Sequence, residues 1–131
     1  MANEAVLMVE NSLPIMMTVA NSAAIEKGTV LKLSDPFTVA ASSADNDIFA
    51  GIAAEEKIAN DGKTKLAVYP PGGNNIFKMV CSATASTVGL HQVIKGANTI
   101  GDYTTLDDEK GYVIGQALET GANTETILVR V

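Results

Sequence analysis

The chain has 131 residues, 47% hydrophobic and 18% charged, which suits a single domain with a core that needs neither disulfide nor metal. A net charge of −6, a pI near 4.6 and nine scattered Lys and Arg residues leave no basic stripe to track phosphates or hold an acidic membrane. Aromatics are only 5% and Trp is absent, so Val, Ile, Leu and Ala must fill the core, and a single cysteine excludes an intrachain disulfide.

The chain opens on two apolar, methionine-rich, β-prone runs, Ala5–Val9 (AVLMV) and Pro14–Ala20 (PIMMTVA), separated by Glu10-Asn11-Ser12-Leu13. No Lys or Arg precedes Lys27, so the basic region of a signal peptide is missing, and no apolar run reaches the ~18 residues of a membrane span. We therefore expect synthesis and use in a cytoplasmic setting. Methionine adapts to irregular surfaces, and an extended apolar segment outside a closed unit can add a strand to a partner. Residues 1–20 are read as an N-terminal arm, acting as an edge strand or as a binding segment. Its candidate contact residues are Ala5, Val6, Leu7, Met8, Val9, Pro14, Ile15, Met16 and Met17.

Residues 21–131 read as a single β domain. TVLKL, KTKLAVY, YVIGQAL and TILVRV alternate apolar and polar positions with a period of two. Turn signals punctuate them at short spacing: Lys27-Gly28, Ser34-Asp35-Pro36, Asp45-Asn46-Asp47, Asn60-Asp61-Gly62, Pro70 to Asn75, Asp107 to Gly111 and Gly121-Ala122-Asn123. Ala53–Asp61 (AAEEKIAND) is expected to run from a strand end into a loop with at most one helical turn. The fold class is all-β, with at most one short helix: a compact barrel with an extended N-terminal arm.

One phrase occurs twice. Phe49–Tyr69 and Tyr112–Val131 each begin on a small-residue strand around a glycine (Gly51 with Ala53, Gly115 with Ala117). Each then passes a glutamate (Glu55, Glu119) and a polar turn, and closes on an apolar strand. The entries AIEKGTVLKL and STVGLHQVIKG also correspond, giving related halves of about 25–69 and 88–131. Two β units, each too small to cover its own apolar face, can close on each other and hide their edges.

Reactive chemistry is sparse. His91 is the only imidazole, and no serine sits in an elbow motif, so a catalytic triad has no framework. One His and one Cys do not furnish a conventional zinc site. Cys81 lies on an expected strand and reads as a small buried hydrophobe. Asp45-x-Asp47 and Asp107-Asp108-Glu109 match no calcium loop and read as solvated turns. Glu55 and Glu56 are adjacent, so on a strand they point apart. No GxGxxG or P-loop occurs; Gly51 and Gly115 are expected at close backbone approaches or bulges. We expect no enzyme activity and no cofactor.

AIEKGTVLKLSDP, DIFAGIAAEEKIANDGKTKLAVYPPGG, IFKM and YVIGQALETGANTETILVRV together resemble the head decoration, or capsid cement, proteins of tailed phages, in particular the lambda-like members. The resemblance spans about residues 25–131. It implies a small β-tulip domain that assembles as a homotrimer, less often a dimer. It also implies binding to the capsid exterior across neighbouring major capsid protein subunits of the HK97-like fold, with an arm at Ala5–Val9 that orders on the shell. The expected location is the virion surface. A head fibre or another outward-facing virion β-domain is the alternative role, and a small-ligand barrel or enzyme a remote one.

Overall fold

The structure, a computed structural model, describes residues 2–103 and 113–131. The expected acidic turn at Asp107–Gly111 lies outside the described residues. Eleven strands and no helix occur among those described: β1 (Val6–Val9), β2 (Ile15–Val19), β3 (Val30–Asp35), β4 (Thr38–Ala41), β5 (Phe49–Ala53), β6 (Lys65–Tyr69), β7 (Ile76–Cys81), β8 (His91–Ile94), β9 (Thr99–Asp102), β10 (Val113–Ala117) and β11 (Thr126–Arg130). The expected fold class holds, and Ala54–Asp61 is a loop with one bridge residue, Lys57, and no helical turn.

The strands form two closed barrels with the same connectivity. The first runs β2-β4-β3-β5-β6, with β6 returning to β2; the second runs β7-β9-β8-β10-β11, with β11 returning to β7. In each, the first strand pairs in parallel with the third (Thr18 with Thr38, Val80 with Thr99), and every other pairing is antiparallel. Equivalence extends to single hydrogen bonds. Ile25 and Lys57 exchange backbone N–H···O=C bonds of 2.9 and 2.7 Å, as Ser86 and Gly121 do at 2.9 Å each. The Gly28 amide donates to the Ala53 carbonyl and the Gly89 amide to the Ala117 carbonyl, both at 2.8 Å. Glu55 Oε1 accepts from the Ala67 amide (3.1 Å) and Glu119 Oε1 from the Leu128 amide (2.8 Å).

The structural repeat includes a leading strand in each half, β2 and β7, that a sequence match beginning near residues 25 and 88 leaves out. Residues 15–19, expected within the arm, close the first barrel. Their alternation decides this: Met17 and Val19 are buried inside it, while Met16 and Thr18 face out. Without β2, β4 and β6 would present two bare edges.

Gly51 and Gly115 do the same work in the two barrels. A Cβ at Gly51 would overlap Val68 Cγ1 and the Tyr69 carbonyl; at Gly115 it would overlap the Arg130 carbonyl. Each glycine follows an irregularity in the ladder, between Phe49 and Gly51 and between Val113 and Gly115, where one extra residue bends the strand. Close approach and bulge thus coincide, as barrel corners require.

One core cluster spans both barrels, and the interior of the first barrel forms a second. Val30, Ile52 and Tyr69, on the outer side of the first barrel, join Phe77, Ile94, Ile100 and Ile127 of the second in one buried cluster. The Tyr69 and Phe77 rings meet edge to face at 5.6 Å. The β8–β9 hairpin rests on the first barrel: buried Asn98 accepts from the Val30 amide through Oδ1 (2.9 Å), and its own amide donates to Ser42 Oγ (3.0 Å). The Asn46 amide donates to the Ile94 carbonyl at 3.0 Å. Gly115→Ala is expected to lower unfolding free energy by about 1–3 kcal/mol through enforced backbone displacement. Urea denaturation measures this.

Candidate partner-binding surface

Six of the twelve large hydrophobic side chains exposed among the described residues fall in the first sixteen positions: Val6, Met8, Val9, Leu13, Ile15 and Met16. The other six are spread from Leu33 to Leu90, so this segment holds the densest run of exposed apolar side chains among the described residues. Of the nine candidate contact residues, Val6, Met8, Val9, Ile15 and Met16 are exposed and Leu7 and Pro14 half-buried. Ala5 (6% exposed) and Met17 (6% exposed) are core residues, so neither can meet a partner while the fold is intact.

The arm is strapped down. β1 pairs antiparallel with the first half of β7 (Val6 with Lys78, Leu7 with Phe77, Val9 with Ile76), on the edge whose far end pairs with β9. It is thus an edge strand of the second barrel's sheet, and its other edge carries no strand among the described residues. The Ala5 amide donates to the Gly28 carbonyl (2.7 Å), and Asn98 Nδ2 donates to the Ala2 carbonyl (2.9 Å). The Asn11 and Ser12 amides both donate to Asn75 Oδ1, at 2.7 and 3.0 Å. Tyr69 Oη donates to Glu10 Oε2, and this bond, with burial and the carboxylate's charge behind it, pushes the phenol up to about 12. The arm therefore crosses the seam between the barrels and touches both.

The residues with chemical potential are dispersed. Cys81 is buried inside the second barrel, and desolvation, partly offset by Ser86, pushes its thiol up, which disfavours the thiolate. His91 lies exposed on β8 and faces outward beside Gln116 of β10. Asp47 Oδ2 accepts from the Ser43 and Ala44 amides (2.8 and 3.0 Å), a turn-closing role. No group of three or more His, Cys, Asp or Glu among the described residues can hold a metal. A shallow cleft of about 400 Å³ between the Pro71–Asn74 turn and β10 has His91 and Arg130 at its rim, and the Arg130 guanidinium donates to the Gln116 side-chain oxygen.

The least expected residue is Lys57. Its side chain is fully buried, and its ammonium donates to the carbonyls of Asn21 (2.8 Å), Ala23 (3.3 Å) and Ile58 (3.1 Å) and to Asp61 Oδ1 (2.9 Å). It closes the loop end of the first barrel where the second has Gly121. No sequence signal marked it. Lys57→Met is expected to destabilise by about 1–3 kcal/mol, because it leaves the carbonyls of Asn21, Ala23 and Ile58 without that donor. The hydrogen bond from Lys57, then that from the Lys63 amide, holds the Asp61 carboxyl below its ordinary 3.8. Its contribution is therefore full above that pH and lost as pH falls through the lower folded value. Denaturation midpoints of Asp61→Asn should trail the wild type at pH 6 and converge with it in acid.

No protein-family model matches the chain, and no curated protein matches it. Among solved structures, the N base of the head fibre protein gp8.5 of bacteriophage phi29 is similar, with a TM-score of 0.55 at 14% identity over 89% of this chain and 91% of that one. At that identity the likeness is one of fold.

Proposed function

We propose that this chain is a structural protein of a bacteriophage head, held on the capsid exterior as a decoration protein that clamps neighbouring major capsid protein subunits. The observation that carries this reading is the shared fold with a phage head fibre base over nearly the whole of both chains. The sequence resemblance to capsid cement proteins and the dense apolar surface of the first sixteen residues support it. A clamp needs area and several points of attachment, and no reaction.

The arm suits this role because it is already ordered on β7. Suppose each arm buries about 300 Å² of apolar surface on the shell. At ~25 cal/mol per Å² that supplies about 7 kcal/mol, against ordering costs of several kcal/mol that the strapping reduces. In the homotrimer that the resemblance implies, three such contacts combine through effective concentration. A second reading, the base of a head fibre, is favoured by the identity of the structural neighbour.

Deleting residues 1–9 would remove Ala5 from the core, so point substitutions test the arm more cleanly. Met8→Asp with Met16→Asp should leave the thermal midpoint within a few degrees of wild type. It should weaken sedimentation with purified expanded capsids by about tenfold or more, ~1.4 kcal/mol. A double variant that saturates capsids like the wild type would refute the arm assignment. Copy number on the particle separates the two roles: near one per major capsid subunit for a decoration protein, far fewer for a fibre base.

A further inference from the structure

Because the barrels are equivalent strand for strand, each position in one has a built-in control in the other. The ladders pair Ile15 with Val68 and Phe77 with Val129, and Leu33 with Val39 and Ile94 with Ile100. Ile15 thus corresponds to Phe77 and Leu33 to Ile94. At the hairpin tips Phe37 corresponds to Asn98, each one residue before the threonine that starts the parallel pairing. In the second barrel these three positions are 2%, 0% and 0% exposed, because the outer face of the first barrel covers that end. In the first barrel they are 41%, 41% and 54% exposed, and all three are apolar.

Phe37 sharpens the contrast. Both tip residues have positive φ, +53° at Phe37 and +58° at Asn98. Asn accepts that conformation readily, whereas a bulky residue there is an outlier. The first barrel thus holds an aromatic where backbone and solvent both disfavour one, and such strain concentrates at functional positions.

We propose that this open end of the first barrel, rimmed by Ile15, Leu33, Phe37 and Ile48, is a docking socket for another protein that presents an apolar β-sheet face. The occupant's chemistry is set by the covered end. There the occupant is the row Val30–Ile52–Tyr69, two aliphatic side chains and one aromatic on three adjacent strands of the first barrel. A second copy of this chain does not supply that row from its second barrel. The positions equivalent to Val30, Ile52 and Tyr69 are His91, Gln116 and Arg130, also paired across adjacent strands, and they are polar. Burying them against an apolar rim would strand a guanidinium and an imidazole, and two copies each of net charge −6 repel. The head-to-tail contact is used once inside the chain and then stopped, and an open stack is the outcome such a contact would otherwise produce. The socket shares Ile15 with the arm, but this inference does not depend on the capsid reading, because Leu33 and Phe37 lie outside the arm.

The chain's own covered face is the probe. His91→Val with Gln116→Ile and Arg130→Tyr rewrites the second barrel's outer row as the first barrel's. Analytical ultracentrifugation should show this triple variant associating at least about tenfold more tightly than wild type, whatever the wild-type state. Adding Leu33→Glu and Phe37→Glu should abolish the gain, which excludes indiscriminate aggregation. Circular dichroism checks that each variant is folded. Should the triple variant not fold, Arg130→Tyr alone gives the same comparison with a smaller gain. A folded triple variant that sediments like the wild type at every concentration would overturn the proposal. So would association that survives the two glutamates. If the two glutamates instead dissociate a wild-type oligomer, the socket belongs to a second copy and the assigned occupant is wrong.

Discussion

Five strands of four to six residues can close into a barrel, but a barrel that short has open ends, and the molecule depends on how they are covered. The second barrel's end is covered by the outer face of the first. That contact joins the second barrel's interior to the outer face of the first, while the first barrel keeps an interior cluster of its own, and it accounts for the burial of all five residues of β5, whose inner side faces its own barrel and whose outer side faces the other. The edge-to-face contact of Tyr69 and Phe77 lies within it.

Covering an end with a sheet buries backbone groups that loops would otherwise show to water, and each needs a partner. Two asparagines meet much of this need at the seam. Asn98 serves the Val30 amide and the Ala2 carbonyl through its side chain and reaches Ser42 through its own amide. Asn75 takes the Asn11 and Ser12 amides on its side chain and the Val131 amide on its carbonyl. The arm is therefore a component of the seam rather than an appendage, and its exposed apolar face is held in place by the packing that joins the barrels.

Much of this was legible in the sequence, for physical reasons. Period-two alternation and turn chemistry report local facts, and they placed most of the strands. Gly51 with Gly115 and Glu55 with Glu119 stood out because a barrel corner admits no side chain and because the amides of Ala67 and Leu128 need an acceptor. The membership of β2 in a barrel was not legible: IMMTV and the start of β7, IFKM, share only apolar character, with no glycine or capping residue to align. Nor was the burial of Lys57, since a lysine in a polar loop looks the same in sequence whether solvated or enclosed. The seam role of Asn98 was hidden for the same reason, because a positive-φ turn accounts for an asparagine without any tertiary contact.

Duplication also explains why so little chemistry accompanies so much structure. Two copies of a closed unit are alike in everything closure requires, and differ where their environments differ. Lys57 stands where the other barrel has Gly121, Phe37 where it has Asn98, and Val30, Ile52 and Tyr69 where it has His91, Gln116 and Arg130. Each difference follows from whether that surface meets the other barrel, water or a loop end. Together they give the molecule a direction, with a polar outer row on the second barrel and an apolar rim on the first. A symmetric pair would either expose two apolar ends or stack without limit. The asymmetry lets one internal contact build the core while the other end stays open and apolar.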